Sequence, residues 1–345
     1  MTVECRVYNR DLELQGVVDN FSSFVWIPKY FEPGQFEIHV PATEDNLALF
    51  RPGALIGRHD GMEETDAGVI EGLEQSGFEI MAKGRFVTSY LDRRLIIGTY
   101  NYSGKVELAM RAIVNRMTAL PLVELGTVQG FTETVDFQAT YKNVLTFEEK
   151  LCVSSGIAFR LRPDFVNRKL IFEAYKGTDR TLPGAPQVIF SETYNNMTDE
   201  TYTYNDTQYK TKCYVGGEGE GAARVMEVVG GGSGLDLREV FRNASQTRSE
   251  DLTETEYRAM LRKEGQDVLD EDMIVESFAF KMTDDAYKYR TDFDVGDIIK
   301  VRRKAWGIET TLRITEVEEV YENGGRELYL TVGNTVPETV DWNSD

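Results

Sequence analysis

Residues 25–42 read VWIPKYFEPGQFEIHVPA. Phe36, Ile38 and Val40 alternate there with Glu37 and His39, the period of two expected of a strand with one buried face. An aromatic-rich run precedes this strand. Between the two, Glu32-Pro33-Gly34-Gln35 has the composition of a tight turn, Pro presetting one dihedral and Gly supplying another. The pattern predicts a hairpin. A second hairpin is predicted ahead of it, residues 3–8 and 12–18 flanking Asn9-Arg10-Asp11. Residues 43–50 suit a helical turn, and 54–58 and 67–75 read as strands across the Asp60-Gly61 turn. Further strands are predicted at 78–81 and 84–90. A run of short strands with frequent turns is the sequence form of a small antiparallel barrel or sandwich.

The period then changes. Val106, Ala109, Met110, Ile113, Val114 and Met117 recur at helical spacing, with Ser103 placed to cap and Glu107 in the first turn. A second helix is predicted over 144–155, capped by Asn143 and stopped by Gly156. Strands at 127–137, 157–161 and 169–175 make this middle region α+β. Pro183-Gly184-Ala185-Pro186 has the composition of a linker. Beyond it, Tyr202 and Tyr204 share one face of an extended segment, 209–215 reads as a strand, and Gly230-Gly231-Gly232-Ser233-Gly234 as a loop tip. Thr253-x-x-Glu256 has capping-box spacing and opens a third helix, with Tyr257, Met260, Leu261 and Val268 as its apolar stripe. Strands at 274–281, 298–303, 311–320 and 327–332 close the chain. The predicted organisation is a strand-rich α+β protein of three parts. These are a barrel-like domain at 1–102, an α+β domain at 103–185, and a β-rich domain at 186–345 with a helical insertion at about 250–272.

Two stretches carry a family resemblance. The first is Trp26 near a strand end, the pair Tyr30-Phe31, the Pro33-Gly34 turn and the FEIHVP strand. The second is residues 294–334, DVGDIIKVRRKAWGIETTLRITEVEEVYENGGRELYLTVGN, in which a Gly-Asp turn precedes a strand and RITEVEEVY leads into a last hairpin. Together they resemble the tail-tip (baseplate) hub proteins of siphophages and prophages, Gp37-like tail proteins related to the baseplate hubs of myophages. The resemblance implies two small antiparallel barrel-like domains per chain and a homotrimer. Six such domains would form a ring that joins the hexameric tail tube to a threefold tip and encloses the DNA exit channel. The partners it implies are a tail tube or distal tail protein and tip or receptor-binding proteins, at the virion tail tip, after synthesis and assembly in the host bacterial cytoplasm. The sequence stops soon after the last hairpin, so wall-degrading or receptor-binding activity is expected on a separate protein.

Charge narrows the partners. With 58 acidic and 38 basic residues the 345-residue chain carries a formal charge of −20, which is unsuited to wrapping nucleic acid. An acidic channel wall would instead let DNA pass without specific binding; an ordinary acidic surface is the plainer alternative. The densest acidic stretch, 249–272, supplies Glu250, Asp251, Glu254 and Glu256 as candidate channel-facing residues. Cys5, Cys152 and Cys213 show no metal or disulfide spacing and suit a reducing compartment. No basic n-region followed by an apolar run opens the chain, and no run reaches the length of a membrane span, so membrane insertion by this chain is not expected.

Candidate chemistry is thin. His39 and His59 lack any triad frame. The GGEGEG run at 216–221 has the wrong spacing for a phosphate loop and two glutamates that would repel phosphate. Asp292-x-Asp294 starts like a calcium loop, but Arg303 stands where the bidentate Glu belongs. No catalytic residue, metal site or cofactor is expected, and no enzymatic activity. Trp26, Tyr30, Phe31, Phe36 and Trp306 are candidates for core or subunit interface. The rival reading, a host-surface carbohydrate-binding module of the tail tip, would use Tyr194, Tyr202, Tyr204 and Tyr209 to stack on sugars.

Overall fold

The computed structural model describes residues 3–184, 186–245, 252–272, 274–283, 287–322 and 324–334. The chain divides into two compact units, one of residues 1–201 and 278–345, the other of residues 202–277.

In chain order, the first part of unit 1 contains β1 (Glu4–Tyr8), β2 (Leu14–Val18), β3 (Ser23–Ile27), β4 (Gln35–Pro41), α1 (Glu44–Leu49), β5 (Leu55–His59), β6 (Gly68–Val69), β7 (Gly72–Ser76) and β8 (Glu79–Arg85). There follow β9 (Thr99–Lys105), α2 (Val106–Arg116), β10 (Val123–Leu125), β11 (Thr134–Thr140), α3 (Val144–Ser155), β12 (Ala158–Asp164), β13 (Lys169–Tyr175), β14 (Ile189–Ser191) and β15 (Met197–Asn205). Unit 2 holds β16 (Lys212–Gly216), β17 (Met226–Gly230), β18 (Glu239–Asn243) and α4 (Glu254–Glu271). The chain returns along β19 (Val275–Met282) to β20 (Ile298–Arg303), β21 (Ile308–Glu322) and β22 (Gly325–Asn334).

The large sheet runs β15-β19-β22-β21-β3-β4-β8-β7, with β20 and β14 branching from β21. A second sheet is ordered β2-β1-β5-β6 and a third β10-β13-β12, while β9 pairs with β11. The class is the expected strand-rich α+β, and among the described residues no sheet closes into a barrel.

The hairpin at 25–42 forms, with Trp26 opposite Phe36 and Phe24 opposite Ile38. Phe36, Ile38 and Val40 are buried, as their alternation requires. Its turn is not the tight one expected, because Ile27 pairs with Gln35 and leaves a connection over 28–34. Gly34 is absent from the positive-φ positions. Its role is close approach: a Cβ there would lie 2.4 Å from the Phe86 ring and 2.5 Å from the Ile27 carbonyl.

The strand expected at 84–90 ends at Arg85, and Val87–Arg93 is a 3-10 helix. The Phe86 amide turns to the Gly34 carbonyl and that of Val87 to Ala67, which takes the chain out of the ladder. Helix α3 has the bounds expected of it; the Asn143 side chain accepts from the Thr146 amide, and Gly156 ends it at φ 69°. Helix α2 is not capped by Ser103, which is paired within β9; Lys105 stands at the cap position without a side-chain bond. Glu107 is 1% exposed and accepts from the amides of Gln129, Gly130 and Phe131 at 2.5, 2.7 and 3.2 Å, so it pins the loop ahead of β11.

One core cluster of unit 1 joins α2 and α3 to β12 and β13 through Met110, Ile113, Leu151, Leu161 and Phe172. A second lies under the first hairpin, around Phe24, Trp26, Phe36, Ile38 and Phe86. A third joins the closing strands through Phe190, Phe278, Phe280, Ile299 and Leu330.

In unit 2 the sheet β17-β16-β18 packs one face on α4 through Cys213, Val215, Tyr257 and Leu261. The α4 capping box forms as its spacing predicts, Thr253 and Glu256 each accepting from the other's backbone. The GGEGEG run serves the connection from β16 to its antiparallel partner β17.

Candidate functional site

The two stretches that carry the family resemblance are neighbours in the fold. β3 pairs antiparallel with β21, with Trp26 opposite Glu319, Val25 opposite Val320 and Phe24 opposite Tyr321. Trp26 is 3% exposed, its ring 4.3 Å from that of Phe86 between centroids.

Strand alternation places Val317, Glu319 and Tyr321 on the inward face of β21, so a carboxylate falls where an apolar side chain belongs. Glu319 is fully buried. Its Oε2 accepts from the Tyr321 hydroxyl at 2.7 Å, Arg58 Nη1 at 3.2 Å and Arg326 Nη2 at 2.5 Å. Arg58, on β5, also reaches Asp60 Oδ2 at 2.8 Å, and Arg290 lies 3.5 Å from Asp60. Burial works against the Arg58 charge, but Glu319, Tyr321 and Asp60 outweigh it and hold the guanidinium firmly protonated. Burial also works against the Asp60 carboxylate, and Arg58 with the Met62 amide and Arg290 brings its pKa below the ordinary value.

A second fastening lies beside it. Tyr30 is 1% exposed, and its hydroxyl donates to the Gly156 carbonyl at 2.8 Å. Burial is the main reason its pKa is pushed up to about 12. The Gly296-Asp297 pair packs against it. Gly296 has φ +94°, and a Cβ there would sit 2.2 Å from the Tyr30 ring. The Asp297 carboxylate accepts from the Thr178 amide at 2.6 Å, Arg180 Nε at 2.9 Å and the Asp294 amide at 3.1 Å. Gly296→Ala is therefore expected to lower unfolding stability by roughly 2–4 kcal/mol through strained backbone and the ring clash. A urea midpoint unchanged from the parent chain would refute this.

The residues chosen from sequence do not form one cluster. Phe36 is buried near Trp26, and Phe31 is half-buried with its ring 5.1 Å from Tyr30. Trp306 is 46% exposed, its ring 5.9 Å from Phe278 and beneath Arg303 at 5.1 Å. Glu250 and Asp251 fall outside the described residues. Glu254 and Glu256 lie in the first turn of α4, Glu254 bonded to Arg258 at 3.0 Å and Glu256 held in the capping box.

His39 lies between Glu37 at 3.1 Å and Glu79 at 3.3 Å; burial lowers its pKa, but the two carboxylates raise it by more. His59 lies 3.0 Å from Glu64. Among the described residues no group of His, Cys, Asp and Glu could hold a metal ion, and no helix is long and apolar enough to cross a membrane. Sequence reasoning missed Arg58 and Glu319. The signal available was the acid at the centre of Val317-x-Glu319-x-Tyr321, an ionisable group on the apolar face of a strand.

Two strand edges are among the exposed surfaces. β2 ends one sheet and β7 another. Leu14 and Val17 on β2, and Leu73 and Phe78 at the β7–β8 hairpin, are all exposed, Phe78 at 95%.

Solved structures of phage tail proteins share this fold over nearly the whole chain. A tail protein from Neisseria meningitidis MC58 aligns over 97% of this chain and 97% of its own, with TM-score 0.62 at 12% identity. The 43 kDa tail protein of prophage MuSo2 from Shewanella oneidensis aligns over 95% and 97%, with TM-score 0.58 at 14% identity. Prophage tail protein gp18 from Listeria monocytogenes EGD-e aligns over 97% and 95%, with TM-score 0.53 at 15% identity. No curated protein matches the sequence. Residues 4–334 match the family described as Siphovirus ReqiPepy6 Gp37-like protein, and the chain belongs to that family. It is a structural protein of the phage tail type.

Proposed function

We propose that the chain is the hub of a tail tip, three copies joining the hexameric tube to a threefold tip around the DNA exit channel. The observation that carries this reading is the pair of open edges, β2 and β7, bearing exposed Leu14, Val17 and Leu73 with Phe78 alongside. Edge strands with apolar side chains are surfaces that other chains cover, and repeating one such contact around an axis closes a ring. The net charge of −20 suits a conduit that repels the phosphate backbone. Its partners in this reading are a tube or distal tail protein and the tip or receptor-binding proteins, and the chain itself carries out no catalysis.

Light scattering behind gel filtration, with negative-stain images of the same peak, tests this. Three times the 39.2 kDa chain mass and a stain-filled centre are expected. A monomer that binds cell-wall sugars would favour a carbohydrate-binding role instead, for which Tyr202 and Tyr204, both exposed on one face of β15, are the supporting observation.

A further inference from the structure

Within unit 1 a cleft of about 290 Å³ is walled by the end of β3, residues 64–66, residues 175–180 and residues 289–297. The arginines that line it are already paired. Arg58 bonds Asp60 and Glu319, Arg160 Nε bonds Glu173 at 2.7 Å, Arg180 bonds Asp297, and Arg290 faces Asp60. Two carboxylates of the same lining are not. Asp66 accepts from the neighbouring Thr65 hydroxyl at 2.9 Å and Asp294 from the Val295 amide at 2.7 Å; among the described residues neither has a cation within ion-pair distance. Tyr289 lines the cleft as well. It is 7% exposed, and its hydroxyl has no hydrogen-bond partner among the described residues. Its hydrogen-bonding capacity is therefore free for a group that enters the cleft.

The chemistry of these groups selects the occupant. A volume near the lower limit for small-molecule pockets suits a single side chain better than a drug-sized ligand. A metal ion is disfavoured, since no set of three suitable ligands converges among the described residues. Two carboxylates without a direct ion pair, a phenol oxygen able to accept, and the aromatic wall of Tyr175, Tyr289 and Phe293 complement an organic cation.

We propose that this cleft receives a lysine or arginine side chain from a basic segment of a different tail polypeptide. A basic partner is drawn to the chain by its net charge of −20, which makes a basic segment of another polypeptide the favoured source. The partner's origin in the tail rests on the hub reading; the cationic chemistry of the cleft does not. Asp294 opens to solvent at the cleft but is hemmed in by protein. That enclosure pushes its carboxyl upward and, with the charges of Asp297 and Asp66, outweighs the Val295 amide and Arg290, a penalty an arriving cation would relieve further.

Calorimetric titration of the full chain with the peptide acetyl-Gly-Arg-Gly-amide, and with its Lys and Gln counterparts, tests the proposal at low ionic strength. The Arg and Lys peptides are expected to bind and the Gln peptide not. Asp66→Asn combined with Asp294→Asn should weaken the Arg peptide about tenfold or more, and Tyr289→Phe roughly two- to fivefold. Unfolding midpoints are expected to stay at the parent value, because neither carboxylate is paired with a cation in the fold. Equal binding of the Gln peptide, undiminished binding by the double Asn variant, or no binding of any peptide at millimolar concentration would overturn the proposal. The solution mass is read separately, so a monomer would refute the trimer without deciding this question.

Discussion

Replacing Glu319 by Ala is expected to cost the fold about 3–5 kcal/mol, the range for breaking a buried ion pair from one side. The loss comes from what remains. Arg58, 6% exposed, would keep Asp60 as a carboxylate partner but lose Glu319, and the Tyr321 hydroxyl would lose the acceptor it reaches at 2.7 Å. The cost should concentrate where β5 meets the β3–β21 pair, because the Arg58–Glu319 contact bridges these elements. Arg326→Ala, by contrast, removes a partner whose side chain is 39% exposed, and about 1 kcal/mol or less is expected. Replacing both Arg58 and Glu319 by apolar residues should recover much of the loss, since the desolvation penalty goes with the charges. Urea unfolding of the four proteins checks the set. A loss under 1 kcal/mol for Glu319→Ala would show that the network does not hold the two ends of the chain together.

Stability should also fall as pH rises through neutrality, because of Glu148. This residue is fully buried on the inward face of α3, among Val144, Leu145, Leu151 and Cys152, and neither carboxylate oxygen has a hydrogen-bond partner among the described residues. Burial pushes its carboxyl well above the ordinary range. Its neighbour Glu149 is pushed up to about 8, by burial first and then by the charges of Glu32 and Asp92. Above an ordinary carboxylate pKa the unfolded chain releases these protons while the folded chain keeps them. The folded state therefore binds more protons, and stability declines with pH by up to about 1.4 kcal/mol per unit for each group. The decline belongs to the window from the ordinary carboxylate pKa upward, to about 8 for Glu149 and as far as its raised pKa for Glu148. The depressed carboxyls of Asp60 and Glu71 act oppositely, their contribution being lost only in acid. Glu148→Met is expected to flatten the alkaline side and to gain about 1–3 kcal/mol at pH 8. Thermal unfolding followed from pH 4.5 to 8.5 decides the matter, and a parent profile without slope above pH 5 would refute it.

What sequence revealed was local. The 25–42 hairpin, α3 with its Asn143 and Gly156 ends, and the Thr253–Glu256 box all follow from periodicity and caps within a few residues. What it hid was long-range. Nothing in residues 23–27 or 308–322 states that they pair, and only that pairing explains the acid opposite Trp26. The Pro33-Gly34 dipeptide reads as a tight turn, yet Gly34 is needed because Phe86 and the Ile27 carbonyl press against it. The edges of unit 2 fall within β15 and near the start of β19, strands that continue across the division, so no Pro or Gly cluster marks them. Glu148 sits in an apolar helical stripe, where alternation of types gives no warning that a carboxyl is buried. The interface candidates were recognisable as aromatic, but which of them packs inward depends on the sheet each side chain meets. Trp26, Tyr30 and Phe36 are enclosed and Trp306 is open.

The hub reading is tested most directly by cryo-electron microscopy of assembled tails that carry this chain. Three copies are expected in one ring at the tip end of the tube, the β2 and β7 edges covered by neighbours and the axis open along a channel. Copies arranged singly, along the tube or only on peripheral fibres, or a ring whose edges stay exposed to solvent, would contradict it.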